Sequence, residues 1–259
     1  MDAAERLNRI NARGSEHADA ERIRLLEAVP ELARGLSREE SAAATESIVA
    51  ASHAIPTGKW APHAVAEPAG ALGLMLLDGF VLRAVSVGRG TGTELLGRHD
   101  LLRPWQEDAA SFSESGFNVL EPARIAILDE SVSAVMCRWP PVITGIVGLA
   151  MARSRSLAFQ AAIMSVIGIE ARLLATLWAL AEKWGRVGRR GVTLELHLPQ
   201  RILAQIVGSR RPTVSMALQT LKRDGLIDTD EEGRWLLHGK PPARDPVASL
   251  HLGERESPA

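Results

Sequence analysis

The 259-residue chain contains a single cysteine, Cys137, and this scarcity excludes several classes of site. One thiol cannot form a disulfide within the chain, and it cannot supply four thiolates to an iron–sulfur cluster or a zinc ion. So few cysteines are typical of proteins of the reducing cytoplasm. A lone cysteine is more often a small buried hydrophobe than a redox switch. We therefore expect neither a disulfide framework nor a cluster-based sensor.

The chain also lacks a strong net charge and a long apolar segment. Its formal net charge is −1, so a prediction of nucleic-acid binding must rest on where the charges lie. The N-terminal sequence MDAAERLNRINARGSEHADAERIRLL is charged every few residues and has no apolar core like that of a signal peptide. The longest apolar run, PPVITGIVGLAM at 140–151, is too short to span a bilayer. We expect a soluble, cytoplasmic protein with no membrane segment.

The N-terminal half changes its pattern at about residue 47. The first fifty residues are predicted to be helical, because apolar residues recur at helical spacing over 25–32. Ser37 with Glu40 three residues later predicts a capping box at the start of a second helix. Over 47–139, short alternating segments separated by turn residues predict a small antiparallel β-roll or barrel.

Three glycine-containing stretches predict turns or linkers. The Asp78-Gly79 pair, between LGLML and FVLRAVSV, predicts a two-residue hairpin turn. The glycines of VGRGTGTELL at 87–96 predict a second hairpin turn rather than a phosphate loop, because no strand-loop-helix context follows. GRVGRRG at 185–191 predicts a flexible basic linker.

A long helical pattern follows the prolines at 140–141 and continues to about Trp184, with a break near Gly168. Its first part repeats apolar and small residues at four-three spacing, which keeps one seam facing a partner helix. That partner lies either in the same subunit or in a second copy of the chain. The small residues permit close approach, and Arg153 and Arg155 flank the seam, which favours the dimer. The seam residues are Ile143, Val147, Ala150, Ser154, Leu157, Ala161 and Met164.

Residues 199–221, PQRILAQIVGSRRPTVSMALQTL, fit two short helices that cross at a tight turn. Ala204 stands where the two helix axes must approach closely, and Gly208 can adopt the left-handed conformation of the turn. Val214 follows ten residues after Ala204, at a buried position of the second helix. This spacing is that of a helix-turn-helix. The stretch DGLIDTDEEGRWLLHG that follows predicts a β-hairpin, which would form a wing.

The second helix is predicted to begin in a basic, exposed turn. Pro212 fits its first turn, where the missing amide hydrogen costs nothing, and Arg210 and Arg211 flank the positive end of the helix dipole. This arrangement suits phosphate oxygens and the edges of guanine. Between 185 and 223 the only acidic residue is Glu195, so a neutral chain has a basic end. The basic residues of that segment are Arg186, Arg189, Arg190, Arg201, Arg210, Arg211, Lys222 and Arg223.

The segment LAQIVGSRRPTVSMALQTLKRDGLI at 203–227 resembles the Crp–Fnr family of bacterial transcription regulators. It is similar to the family's Leu-Ala-x-x-Val/Ile-Gly-x-Ser-Arg-x-Thr-Val-x-Arg-x-Leu-x-x-Leu-x-x-x-Gly-Leu-Ile pattern. The order of helix, β-roll, long helix and winged helix-turn-helix agrees more loosely over about 20–240. The resemblance implies a homodimer whose long helices pair and whose two recognition helices enter successive major grooves. It also implies contact with RNA polymerase.

The resemblance assigns roles to individual residues of the helix pair. Arg211 matches the arginine that pairs with guanine O6 and N7, and Gln205 and Thr213 match positions that usually contact the phosphate backbone. Arg210 stands where the family usually has a serine and would add a phosphate contact. Met216 stands where the family often has a second arginine, so fewer bases would be read by hydrogen bonds. The predicted DNA-binding residues are Gln205, Arg210, Arg211, Pro212, Thr213, Ser215, Met216 and Gln219.

The roll departs from the cyclic-nucleotide-binding members of the family. Those members carry Gly-Glu-Leu-Ala for the ribose and cyclic phosphate, followed by Arg-Ser/Thr-Ala for the phosphate charge. GTELLGRHDLLRPW at 92–105 keeps the glutamate and a leucine, but no Arg-Ser/Thr-Ala follows. Without that arginine the phosphate lacks its charge partner, so we do not expect cyclic AMP as the effector. The candidate pocket for another small-molecule effector consists of Glu94, Leu95, Leu96, Arg98, Arg103 and Trp105. Alternatively, Trp105 fills the interior of the roll instead of lining an effector pocket.

No cofactor, metal site or catalytic centre is predicted. His53, His63 and His99 follow no ligand spacing, and the roll shows no Ser-His-Asp, Cys-His or paired-carboxylate constellation. We therefore expect a regulator rather than an enzyme.

The sequence as a whole predicts an α+β DNA-binding transcription regulator of the Crp–Fnr type. Its partners would be double-stranded DNA with a palindromic operator, a second copy of the chain and RNA polymerase. One alternative is a regulator that needs no effector; a less favoured one is an enzyme or a protein-interaction module with an appended winged helix. The predicted parts are an N-terminal extension (1–20), the antiparallel β-roll (21–139), the dimerisation helix (140–168), the winged helix-turn-helix (169–240) and a C-terminal tail (241–259).

Overall fold

The computed structural model describes residues 21–62, 70–104 and 113–242 of the chain. The chain divides into two compact units, Met1–Phe159 and Gln160–Ala259. The predicted features that lie outside the described residues are the N-terminal extension, most of the C-terminal tail, His63 and Trp105.

An antiparallel sheet forms the centre of the N-terminal unit and confirms the predicted roll. Its strands are β1 (Glu21–Arg24), β2 (Val49–Ile55), β3 (Gly58–Trp60), β4 (Gly73–Val87), β5 (Gly90–Leu96), β6 (Leu101–Leu102) and β7 (Ser113–Leu128). They follow the order β1-β2-β7-β4-β5, with β3 paired to β7 and β6 to β4. The two long strands, β4 and β7, pair from Gly73 opposite Leu128 to Val87 opposite Ser113.

The start of β4 is buried on both faces of the sheet, which explains its unbroken apolar sequence. Because successive side chains point to opposite faces, Leu74 and Leu76 pack in one buried cluster with alternate residues of β7. Met75 and Leu77 pack in a second cluster, where the sheet meets the helices of this unit. The sheet therefore contributes to two apolar cores.

The helices of the N-terminal unit cover one face of the sheet. They are α1 (Leu25–Ala28), a 3₁₀ turn (Pro30–Ala33), α2 (Arg38–Ser47), α3 (Glu130–Met136) and α4 (Pro140–Met164), the end of which belongs to the second unit. The capping box of α2 is confirmed, since the Glu40 amide donates to Ser37 Oγ (3.2 Å) and the Ser37 amide to Glu40 Oε2 (2.8 Å). The helix predicted across the first fifty residues is wrong at 21–24, which pair with β2.

The predicted hairpin at Asp78-Gly79 is wrong, because β4 continues through these residues. The register with β7 shifts around Asp78, so the irregularity is a bulge within the long strand pair. Gly79 has φ of 78°, and a Cβ there would lie 2.5 Å from the Pro122 carbonyl oxygen. The turn between β4 and β5 comes later, at Gly88 with φ of 58°, where the glycines of 87–96 predict it.

The C-terminal unit combines three helices with a four-stranded antiparallel sheet of order β10-β11-β9-β8. These elements are α5 (Ile169–Trp184), β8 (Gly185–Gly188), β9 (Gly191–Leu194), α6 (Gln200–Ile206), α7 (Arg211–Arg223), β10 (Ile227–Thr229) and β11 (Trp235–Leu237). The predicted break before α5 is confirmed at Gly168, with φ of 88°. The predicted wing is confirmed as the β10–β11 hairpin.

The flexible linker predicted at 185–191 is wrong, because this stretch forms the β8–β9 hairpin. Its second strand pairs with β11, which extends the wing into a larger sheet. Gly191 approaches the backbone of Leu237 so closely that a Cβ on it would clash with the Leu237 carbonyl oxygen. The glycines therefore allow strands to approach rather than the chain to flex.

By length and composition, α4 is the one helix of the described ranges that would be able to cross a bilayer, a test that many helices of soluble proteins also pass. It is longer than the predicted apolar run, because the helix continues past 151 through Arg153 and Arg155. Val142 and Ile146 pack into the core beneath the sheet, although only 11% of the apolar window of α4 is buried.

Substitution of Gly79 tests the bulge. Gly79→Ala should destabilise the chain by more than about 1–2 kcal/mol, the order of the cost of left-handed backbone, because its Cβ also meets backbone atoms. Gly88→Ala is the matched control, since Gly88 also has positive φ but nothing within 4 Å of the added Cβ. Urea denaturation followed by circular dichroism measures both, and equal losses would contradict the close approach at Gly79.

Candidate nucleic-acid interface

Two short helices, α6 and α7, cross at a turn in the C-terminal unit. Each presents buried apolar residues to the other at the predicted positions, including Ala204 and Val214. In the turn, the Val207 amide donates to the Leu203 carbonyl (2.9 Å) and the Ser209 amide to the Ala204 carbonyl (2.9 Å). Gly208 has φ of 62°, and a Cβ on it would lie 2.9 Å from Met164 Cε. The turn thus depends on a residue without a side chain.

Arg172 of α5 holds the end of α6 in place, a role that the sequence analysis missed. Its guanidinium donates to the Val166 carbonyl (3.1 and 3.3 Å) and, through Nη1, to the Val207 carbonyl (3.4 Å). Charged donors satisfy carbonyls at helix ends that would otherwise lack partners. The signal in the sequence is an arginine within the largely apolar stretch IEARLLATLWAL.

The N-terminus of α7 is an exposed cationic turn. Arg210 is the N-cap and makes no side-chain cap, and Pro212 lies in the first turn. The Val214 amide bonds to the Arg210 carbonyl (3.1 Å), so the amides before it point out of the helix without an intrahelical acceptor. Arg210 and Arg211 are exposed, and neither guanidinium forms an ion pair or hydrogen bond with another described residue. The positive end of the helix dipole and the two guanidinium charges therefore lie at the same place and strengthen each other's attraction for an anion.

Most of the predicted DNA-binding residues are exposed. On α7 they recur at spacings of three and four, which places them on the face opposite Val214 and Leu218. Met216 is 70 % exposed, unusual for a large apolar side chain. Ser215 is half-buried. The exposed members of the set are Gln205, Arg210, Arg211, Pro212, Thr213, Met216 and Gln219.

The wing loop is acidic and internally hydrogen-bonded. Asp230 accepts from the Arg234 amide (2.8 Å) and from Arg234 Nε (2.7 Å), and Glu232 accepts from Arg234 Nη2 (2.8 Å). Burial raises the pKa of Asp230, but the hydrogen bonds from Arg234 outweigh it and hold the pKa below its ordinary value. The cations available to an anionic partner are therefore those at the start of α7 rather than those of the wing loop.

Residues 171–239 match the family model of the Crp-like helix-turn-helix domain. A cyclic nucleotide-binding domain containing protein from Listeria monocytogenes has a similar structure, with a TM-score of 0.59 and 12% identity over 71% of this chain and 87% of that chain. A CooA mutant from Carboxydothermus hydrogenoformans has a TM-score of 0.57 and 18% identity, over 72% of this chain and 82% of that chain. A transcriptional regulator of the CRP family from Thermus thermophilus has a TM-score of 0.52 and 18% identity, over 71% of this chain and 91% of that chain.

The chain has the fold of a Crp–Fnr regulator. The resemblance predicted from 203–227 is confirmed, and so is the presence of a helix-turn-helix DNA-binding domain. No curated protein sequence is significantly similar to the chain. At these identities the solved structures show a shared fold.

In this Crp–Fnr-type roll, the candidate effector residues have separate surroundings. Leu96 is fully buried in the core of the roll, and Leu95 is buried. Arg98 is exposed and donates to His99 Nε2 (3.0 Å), whereas Arg103 donates to the Ala71 carbonyl (3.2 Å). Arg98 and Arg103 therefore donate to different partners.

Glu94 bonds to arginines of the same unit instead. Arg153 of α4 donates through Nε to Oε1 (2.9 Å) and through Nη2 to Oε2 (2.8 Å), a two-point contact with the carboxylate. Arg83 of β4 adds Nη1 to Oε2 at 3.2 Å. Burial raises the pKa of Glu94, but Arg153 and Arg83 outweigh it and hold the pKa below its ordinary value of 4.5. The sequence analysis placed Arg153 beside the seam and missed this contact.

Metal ligands and the single cysteine were the remaining candidates for a sensor site. Within the described ranges no three His, Cys, Asp or Glu side chains gather as a metal site requires. Cys137 is exposed at the end of α3, so the expectation of a buried cysteine is wrong.

The lowered pKa of Glu94 predicts a pH-dependent contribution to stability. A carboxylate whose pKa falls on folding stabilises the folded chain above its unfolded pKa, and this is lost as the pH falls through the folded pKa. The difference in free energy of unfolding between the wild type and Glu94→Gln should therefore be full at pH 7 and shrink below about pH 4.5. Urea denaturation across this range measures it, with Glu46→Gln, an exposed ion-pair partner of Arg24, as control. A pH-independent difference would contradict the assignment.

Proposed function

We propose that the protein is a homodimeric, cytoplasmic transcription regulator that reads a palindromic DNA operator through α7. The observation that carries the proposal is the exposed start of α7, with Arg210 and Arg211 unpaired among the described residues. A helix pair that only packs within an enzyme does not need two exposed, unpaired guanidinium groups at one helix end. A surface that binds nucleic acid needs such charges.

The exposed residues divide into two kinds of contact. Arg211, at the first position of the helix, would pair with O6 and N7 of a guanine in the major groove. Arg210, Gln205 and Thr213 would contact phosphate oxygens, which set the position of the helix on the duplex. Met216 would make an apolar contact with a thymine methyl, so the base readout would rely on fewer hydrogen bonds than in relatives with a second arginine.

The homodimer is supported by the two faces of α4. Val142 and Ile146 are buried in the roll, whereas Val147 is 55 % exposed and Leu157 is 39 % exposed. Val147 and Leu157 belong to the predicted seam, whose four-three spacing is that of two paired helices, whereas Met151 and Phe159 are exposed apolar residues of α4 outside it. A two-fold axis between paired helices would relate two copies of α7, so the operator would have two inverted half-sites.

The effector, if one is used, would be something other than cyclic AMP. The Arg-Ser/Thr-Ala motif that would bind the cyclic phosphate does not follow Glu94, and the Glu94 carboxylate is held by Arg153. A change in the roll would act by moving α4 and hence the spacing of the two α7 helices. Contact with RNA polymerase is the expected route to regulation for a protein of this fold.

Site selection from random DNA with the purified chain tests the function directly. We expect selected sequences with two inverted half-sites, and binding that weakens steeply with added salt because phosphate contacts release counterions. A chain that uses its winged helix for protein contacts alone would select no sequence. That result would refute the proposal.

Arg211→Ala should weaken binding to the selected operator by about 1–3 kcal/mol and relax the preference at one base pair in each half-site. The variant lacks the bidentate contact with guanine, so both the affinity for the operator and the discrimination against a mismatched base pair should fall. Fluorescence anisotropy with matched and mismatched duplexes measures both quantities. Arg38→Ala is the control, because Arg38 is an exposed arginine of α2 in the other unit. Unchanged sequence preference in Arg211→Ala would contradict the assignment of this arginine.

Ala150→Arg should convert the dimer into a monomer, because a charged side chain would enter the seam where close approach is needed. Ala152→Arg is the matched control, since Ala152 is exposed on the same helix but off the four-three seam. Sedimentation velocity gives the oligomeric state of each. A dimer that survives Ala150→Arg would show that the seam is not the interface.

A further inference from the structure

We infer that Arg153 acts as an internal substitute for an effector: its ion pair with Glu94 fixes α4 to the roll, so DNA binding needs no small molecule. This inference rests on the proposed function, since it concerns how that DNA binding is set. The two residues lie far apart in sequence and meet inside the N-terminal unit. The contact therefore links a strand of the roll to the helix that leads out of it.

The contact uses the whole guanidinium. While Nε and Nη2 bind the two oxygens of Glu94, Nη1 donates to the carbonyl of Leu101 in β6 at 2.7 Å. Arg153 thus spans two strands, β5 and β6, both of which pair with β4. A planar fork held at three points fixes the rotation of the helix as well as its distance from the sheet.

The ion pair is largely shielded from water and uses the acceptor atoms that a ligand would need. The side chain of Glu94 is 12% exposed and that of Arg153 is 17% exposed. Both oxygens of Glu94 accept from arginine, with Arg83 as a second donor to Oε2. A sugar hydroxyl would compete with Arg153 for this carboxylate, and displacement of Arg153 would leave a charge with fewer partners in a shielded site.

The helix carries the effect of this contact along the chain. The helix α4 is continuous from Pro140 to Met164 and passes from the first unit into the second. A constraint at Arg153 therefore acts on the helix through which the chain leads into the second unit. In a ligand-dependent regulator the constraint would form on binding, whereas here both partners belong to the chain itself.

The test compares the full-length wild type with Glu94→Gln, Arg153→Gln and the double variant on a labelled duplex of the selected operator. Each single variant should lose operator affinity by roughly 5- to 150-fold, the usual range of coupling between sites, and the double variant should lose no more than the worse single one. Arg153→Lys, which keeps the charge but not the fork, should lose less than Arg153→Gln and covers the case in which the larger changes prevent folding.

The matched control is Arg138→Gln. Arg138 is an exposed arginine shortly before α4, and its side chain forms no ion pair or hydrogen bond with other described residues, so the operator affinity of this variant should stay at the wild-type value. Thermal unfolding and sedimentation confirm that each variant is folded and dimeric. A small-molecule arm adds cyclic AMP, and separately the low-molecular-weight filtrate of a cell extract, to the wild type, and neither should raise operator affinity.

The outcomes separate the two proposals. A wild type that selects no DNA sequence refutes the proposed function. In a second outcome the wild type binds its operator, and the folded Glu94→Gln and Arg153→Gln variants bind it with the same affinity and differ only in a lower melting temperature. That result refutes the role of the ion pair in DNA binding and leaves the proposed function standing. A wild type whose affinity rises with either small-molecule addition refutes that role as well.

Discussion

The close approach of α6 and α7 is the contact on which the exposed cationic turn at the start of α7 depends. Ala204 and Val214 are small enough to let the helices cross, and Gly208 supplies the left-handed backbone of the turn, with φ of 62°. Once the apolar faces are buried against each other, the start of α7 has to face outward. The exposure of Arg210 and Arg211 therefore follows from apolar packing behind them, not from any contact of their own.

Arginine has two opposite uses in this chain, and the surroundings of each arginine decide which. Arg153 and Arg172 are part-buried, and their guanidiniums donate to a carboxylate or to backbone carbonyls. Such arginines order the fold, because their donors are already used. Arg211 lies at a helix end with solvent around it, so its donors stay available for a partner. The same chemical group thus positions α4 and α6 in one setting and offers recognition in the other.

Local rules predicted the parts whose structure is local. The capping box at Ser37, the break at Gly168 and the turn at Gly208 each depend on a few neighbouring residues, so the sequence pattern was sufficient. The Asp78-Gly79 pair also has a strong local turn signal, but β7 offers a continuous partner on both sides of it. Pairing along the whole of β4 outweighs the local preference, and the glycine becomes a bulge.

The sequence by itself determined the helix-turn-helix, the basic start of α7 and the resemblance over 203–227, because spacing along one short segment defines all three. Only the tertiary structure decided that 185–191 is a hairpin, since its second strand is stabilised by β11 from far along the chain. The same holds for Glu94, whose carboxylate looked available in the sequence. Its partner Arg153 is a distant residue on α4, and folding alone brings the two charges within hydrogen-bond distance.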